Sequence, residues 1–293
     1  MPKTDPRRQK LFDTANELKS KSHIPEKKEF RVVITGKGGA GKTTFTAVLS
    51  KLFSRNGYNV LAVDEDPQVN LPYSLGIPRD QEIIPASRNL DYIEEKTGAR
   101  PGQGWGGMLS LNPDVSDVVD RFGIKTADNI NLIVMGSVIQ AAAGCLCPEN
   151  ALLDAVMGYI SLREGEVILM DTQAGVEHFG RALARGFKQT VVVTEPTFNA
   201  YQVAKHAAEL SRQLDIPYVH LVVNKIKDEA HFERFTQIAG ESLKNFNEIF
   251  ILPYDENVLL TEPDVTPLLE SDTPYVQEAR KIMQTLAEYG KQT

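Results

Sequence analysis

The sequence has few cysteines: two in 293 residues, Cys145 and Cys147. One residue separates them, and a disulfide across that spacing would close a strained ring. Two cysteines so placed exclude a disulfide-built scaffold. The chain also has no apolar run approaching the roughly 20 residues that cross a bilayer. Its start carries no uninterrupted apolar stretch of the kind a secretory leader needs. Acidic residues outnumber basic ones, 39 to 32, for a net charge of −7. That balance argues against nucleic acid as the main partner. These absences together lead us to expect a cytoplasmic protein that engages neither nucleic acid nor membrane. The remaining composition, 42% hydrophobic and 24% charged, is that of a globular domain with a sizeable core.

Residues 1–29 differ from the rest, being rich in Lys, Arg and Glu. Within them, Leu11, Phe12, Ala15 and Leu18 fall near helical spacing, so 9–21 could form a short helix. This stretch reads as a loosely docked extension, with a partner-binding arm as the sharper alternative. From 30 to 293 the pattern alternates. Short β-branched runs at 31–35, 59–63, 131–135, 166–170, 190–194, 218–223 and 248–252 predict seven strands. Helical stretches at 42–55, 148–162, 200–213, 230–243 and 274–289 lie between and after them. The alternation predicts one α/β domain: a doubly wound, mostly parallel seven-stranded sheet with helices on both faces. Residues 67–129 read as the irregular part, with a Gly/Trp-rich surface loop at 98–107.

The first strand runs into GKGGAGKTT and then a helix. Gly36, Gly41, Lys42 and Thr43 satisfy G-x-x-x-x-G-K-S/T in the strand–loop–helix context that a phosphate-binding loop requires. Gly36, Gly38, Gly39, Ala40 and Gly41 let the backbone curl and aim its N–H groups at phosphate oxygens, and the next helix adds its positive end. Lys42 would lie against the β- and γ-phosphates of ATP. Thr43 would ligate Mg²⁺, and Thr44 continues the cradle.

Asp64 and Asp66 follow the second apolar strand, where an open α/β sheet places its ligands. One residue apart on a strand, they should point the same way. One carboxylate can then support Mg²⁺ while the other orients water. Asp171 follows the strand at 166–170 and would hold Mg²⁺ through water. Gly175, just beyond, would offer its N–H to the γ-phosphate. Asn224 ends the strand at 218–223 and either pairs with the adenine edge or caps the strand end. Pro253, Tyr254 and Asp255 follow the last strand and would line the far side of the base. No Asp stands two residues after Lys225, which favours ATP over GTP.

The second lysine of the loop, Lys37, gives the sequence a resemblance to the deviant-Walker subclass of P-loop ATPases. That group includes MinD/ParA-type proteins, nitrogenase iron proteins and metal-site maturation factors. The resemblance implies a nucleotide-dependent homodimer in which Lys37 reaches the partner's nucleotide. It also implies that Asp66 positions water, Asp64 supports the metal and Asn224 reads the base.

Cys145 and Cys147 precede a helix whose N-terminus favours thiolate. Two protomers would supply four sulfurs, a set suited to Zn²⁺ or Ni²⁺. A buried pair of small side chains and a redox couple are the alternatives. Here the run GCLCPENALL resembles CooC-type nickel-insertion accessory ATPases of carbon monoxide dehydrogenase. LSLNPDVSDVVDRFGI, DTQAGVEHFGRALARG and LPYDENV agree with that family. Departures are the N-terminal extension, AAAG before the cysteines and Thr172–Gln173 in the second switch. The resemblance implies an ATP-hydrolysing metallochaperone whose client is a nickel-containing carbon monoxide dehydrogenase or acetyl-CoA synthase. A MinD/ParA-like positioning ATPase and an iron–sulfur ATP-dependent reductase are the competing functions. The first would need a basic amphipathic tail or a basic patch, and the second cysteines far apart in sequence.

Overall fold

The computed structural model describes residues 29–100, 110–136, 147–175 and 186–292, with the side chains of 147–150 left out. Eight strands form one sheet among these residues. They are β1 (Phe30–Gly36), β2 (Val60–Asp64), β3 (Ile124–Lys125), β4 (Asn131–Val134), β5 (Val167–Asp171), β6 (Gln189–Thr194), β7 (Tyr218–Ile226) and β8 (Ile249–Pro253). Their spatial order is β3-β4-β2-β5-β1-β6-β7-β8. Every pairing is parallel except β3 with β4.

The fold class predicted from sequence is the one found, with one strand more than the seven expected. The extra strand, β3, is two residues long and pairs antiparallel at the edge. Two residues carry no alternation, so no periodic signal could reveal it.

The flanking helices are α1 (Lys42–Arg55), α2 (Leu71–Ser74), α3 (Leu90–Thr97), α4 (Val118–Phe122), α5 (Cys147–Leu162), α6 (Phe198–Gln213), α7 (Glu229–Ala239), α8 (Glu256–Leu260), α9 (Thr266–Leu269) and α10 (Pro274–Gly290). The stretch expected at 230–243 as one helix ends at Ala239 and continues as a 3₁₀ turn, Gly240–Asn245. Gly240 at φ +56° breaks the α-helical path. The region expected to be irregular holds α2, α3 and α4, each eight residues or shorter, too brief for a helical period to register. Most of the predicted 98–107 loop lies outside the described residues; Gly98 caps the end of α3.

Strand alternation builds two cores. On β1, Val33 joins one apolar cluster while Val32 and Ile34 join the other. On β5, Ile168 and Met170 face one side and Val167 and Leu169 the opposite side. The first cluster is covered by α5, α6 and α7, the second by α1 and α10. Both faces being buried explains why these strands read as unbroken apolar runs. Helix starts are fixed locally: Thr197, Asp228 and Thr273 accept from Ala200, His231 and Val276 N–H groups. The chain leaves β1 toward β2 on one side, while β6 lies on the other, so the C-terminal end of β1 is a topological switch point.

Candidate nucleotide-binding site

Gly36, Asp64, Asp171 and Asn224 belong to β1, β2, β5 and β7, toward the C-terminal ends of those strands, and converge on one edge of the sheet. The loop after β1 is shaped by what only glycine tolerates. Gly36 has φ +142°, and a Cβ there would stand 2.0 Å from the Val193 carbonyl oxygen. Gly39 and Gly41 have φ of +80° and +95°, in the left-handed region. Gly38 and Gly39 are exposed, Ala40 is buried, and Lys37, Gly41, Thr43 and Thr44 are half-buried. Helix α1 then starts at Lys42 with no side-chain cap and no acidic residue in its first turn. Its N-terminal N–H groups therefore present uncompensated positive potential to the loop.

Lys42 is 6% exposed, and its Nζ lies 3.5 Å from the Lys37 carbonyl. Burial lowers the pKa of this ammonium, while Asp171 and Asp66 act to raise it. Asp171 is fully buried. Its Oδ1 accepts from the Thr46 hydroxyl at 3.3 Å, and Thr43 also hydrogen-bonds it. Its Oδ2 is buried with no partner among the described residues. Burial pushes this carboxyl up to about 6, against the opposing pull of Thr43 and Lys42. A buried carboxylate oxygen left open beside Thr43 fits a hydrated Mg²⁺, whose charge would complete it.

Asp64 and Asp66 do not share a strand as predicted. β2 ends at Asp64, and Asp66 sits in the following loop. Asp64 is fully buried; its Oδ1 takes the Asp66 N–H at 3.1 Å and its Oδ2 the Leu71 N–H at 3.2 Å. This carboxylate folds the loop, an aspartate's usual way of bonding the backbone two residues on. Burial and the charge of Asp171 hold its pKa well above the ordinary carboxylate range. Asp66 stays half-buried, its Oδ1 accepting from Gln68 N–H at 2.8 Å. Glu65, between them, was not singled out from sequence. It is 4% exposed, its N–H donates to the Asp171 carbonyl at 2.9 Å, and its Oε2 accepts from Gln173 N–H at 3.2 Å. It thereby couples the loops after β2 and β5. The acidic triplet DED was its one visible signal.

Gly175 forms an isolated antiparallel bridge with Gly36, donating its N–H to the Gly36 carbonyl at 3.2 Å. The N–H expected to meet a γ-phosphate is thus paired within the protein in this structure. Asn224 is likewise engaged. Its Nδ2 donates to the Ala40 carbonyl at 2.8 Å and its Oδ1 accepts from Lys225 N–H. Lys225, at φ +64°, donates to the Gly39 carbonyl at 2.8 Å and pairs with Glu195 at 2.5 Å. Sequence reading passed over Lys225 except as a departure from a guanine motif. Asn224, Pro253, Tyr254 and Asp255 together border a cavity of about 200 Å³ opening beside Gly41 and Thr44. The residues expected around the base are therefore brought together, adjoining the phosphate cradle.

Cys145 lies outside the described residues. Cys147 is the first residue of α5, and its side chain is not described. Residues 1–28, where the N-terminal extension was read, also lie outside them.

Residues 31–263 match the CobQ/CobB/MinD/ParA nucleotide binding domain. The chain belongs to this family. An uncharacterized ATP-binding protein of Methanocaldococcus jannaschii is 37% identical over 252 residues, covering 86% of this chain and 95% of the relative. The carbon monoxide dehydrogenase accessory protein CooC of Rhodospirillum rubrum is 35% identical over 198 residues, 67% of this chain and 74% of that one. Among solved structures, the septum site-determining protein MinD of Pyrococcus horikoshii, complexed with Mg-ADP, superposes with a TM-score of 0.59. It is 17% identical, with 88% of this chain and 96% of that chain covered. As a member of this family, this chain is a P-loop ATPase. None of its described helices is long and apolar enough to cross a membrane.

Proposed function

We propose that this ATPase is a CooC-type metallochaperone that loads nickel into a carbon monoxide dehydrogenase or acetyl-CoA synthase-type enzyme. The observation that carries the reading is the coupling, in one chain, of Lys37 in the phosphate loop to the Cys145–Leu146–Cys147 segment. The 35% identity to a carbon monoxide dehydrogenase accessory protein supports it. ATP would close a homodimer in which each Lys37 reaches the partner's nucleotide. Four thiolates, two from each protomer, would then hold Ni²⁺ or Zn²⁺ as cargo in a tetrahedral site.

In the nucleotide site, the backbone from Gly36 to Thr44 and the start of α1 would bind the phosphates. Lys42, buried beside Asp171 and Asp66, would neutralise charge that develops on the phosphoryl oxygens. Mg²⁺, when bound through Thr43 and Asp171, supplies charge neutralisation between the phosphates. Asp66, half-buried near the start of its loop, would orient the attacking water, and Asp64 would keep that loop in place. Asn224, Pro253, Tyr254 and Asp255 would receive the base. Loss of the γ-phosphate would let Gly175 return to Gly36 and the dimer reopen.

The deciding experiment is metal stoichiometry of the reduced dimer, wild type against the double variant Cys145→Ala/Cys147→Ala. About one Ni²⁺ or Zn²⁺ per dimer is expected, absent in the variant while ATP binding persists. A wild type that binds neither metal would refute the metallochaperone reading and leave the ATPase intact.

A further inference from the structure

Away from the nucleotide, an open cleft of about 510 Å³ lies between residues 111–116 and the C-terminal half of α5. Its rim carries two large apolar side chains in solvent, Leu111 at 75% and Leu162 at 78% exposure. Asp114 and Asp154 line it as well, and no Lys or Arg does. Nothing in the nucleotide chemistry uses this surface. It is an apolar groove with acidic residues on its border, the form that receives the apolar face of an amphipathic helix.

The chain itself offers such a segment at that place. Glu29, the first described residue, anchors on Gly165, accepting its N–H at 2.6 Å. Gly165 is three residues past Leu162, so the N-terminal segment leaves the domain beside the cleft. Arg31 donates to the Arg163 carbonyl at 2.5 Å and holds the same corner. Residues 1–28 carry a net +4, eight Lys or Arg against four Asp or Glu; within 9–21, Lys10, Lys19 and Lys21 stand at the two ends and Asp13 and Glu17 between them, a net +1. Leu11, Phe12, Ala15 and Leu18 would form one apolar helical face. The seven residues from 22 to 28 can span up to about 23 Å, enough to lay 9–21 against a surface adjoining the exit point. The family match begins at residue 31, so the segment lies outside what the family shares.

We propose that residues 9–21 dock as an amphipathic helix in the cleft between 111–116 and α5 of the same chain. Leu11, Phe12 and Leu18 cover Leu111 and Leu162, and Lys10, Lys19 and Lys21 at the helix ends lie toward the acidic border.

Photo-crosslinking of the full-length protein tests this. Phe12 is replaced by p-benzoylphenylalanine, and crosslinked peptides are mapped in a mixture of isotopically light and heavy protein. Intrachain links to 111–116 or 154–162 are expected. Links elsewhere, links only between light and heavy chains, or no links would each overturn the proposal; the interchain result would assign the groove to a second copy. Hydrogen exchange supplies a second reading that does not depend on the photoprobe. In Leu11→Asp/Phe12→Asp, amides of 154–162 should exchange at least 5-fold faster than in wild type while β1 and β5 stay unchanged. Equal rates would overturn it.

Discussion

Asn224 donates its side-chain amide to the carbonyl of Ala40 at 2.8 Å, tying the end of β7 to the middle of the phosphate loop. The residue expected to read the base is thus also a strut of the cradle. A Cβ on Gly41 would come within 2.5 Å of that same amide nitrogen. The cavity bordered by Pro253, Tyr254 and Asp255 and the phosphate loop are one packed unit, and Asn224 is where they meet. Asn224→Asp keeps the shape, removes the donor and sets a carboxylate against a carbonyl. ATP affinity by calorimetry should fall at least 10-fold, since losing such a bond to a charged mismatch costs about 1.5–3 kcal/mol. Unchanged affinity would mean that Asn224 serves neither part.

Asp171 is a buried carboxyl raised to about 6, with one oxygen unpartnered. Burial makes its charge unfavourable within the fold. Asp171→Asn should therefore raise the melting temperature of the free protein at pH 7 by a few degrees while lowering kcat by two orders of magnitude or more. A melting temperature that falls would show that the carboxylate is a net structural asset.

Gly36 and Gly57 separate steric from conformational demand. At Gly36 a Cβ would meet backbone of β6 at 2.0 Å; at Gly57, φ +77°, nothing lies within 4 Å. Gly57→Ala should lose about 1 kcal/mol by urea unfolding, the left-handed penalty alone. Gly36→Ala should lose more than about 3 kcal/mol or fail to accumulate as folded protein. Equal losses would contradict the close packing of β1 on β6.

His220 on β7 is fully buried, packed on Tyr289 at 4.8 Å, with neither ring nitrogen bonded among the described residues. Burial lowers its pKa to about 4 from the ordinary 6.5. Between those values the unfolded chain binds the proton and the folded one does not, so stability falls as pH drops through that window. By pH 4 the loss from this residue approaches ~3 kcal/mol. Urea midpoints of wild type and His220→Leu at pH 7 and pH 4.5 should show a smaller acid loss in the variant. Parallel losses would remove His220 as the cause.

Much of this architecture was legible in the chain because both cores sit under long periodic elements. Seven strands and five helices announced themselves by apolar period, and GKGGAGKTT declared its geometry through glycines that structure then requires, Gly36 and Gly41 above all. What stayed hidden depends on contacts between distant segments. Glu65 looks like any strand-end acid until β5 is beside it, and Lys225 gains its role from Gly39 and Glu195, which lie 186 and 30 residues away. Asp64 and Asp66, expected on one strand, are separated because β2 ends at Asp64, whose carboxylate is taken up in folding the loop that carries Asp66.

The Gly36–Gly175 bridge sets an energy scale. A single backbone hydrogen bond contributes about 1 kcal/mol net, which corresponds to roughly a five-fold population ratio. With the Thr35 hydroxyl donating to the Gly175 carbonyl at 3.3 Å, the end of the loop after β5 is held to β1 by two contacts of that order. On the function proposed above, a γ-phosphate that took the Gly175 N–H would have only that bond to displace.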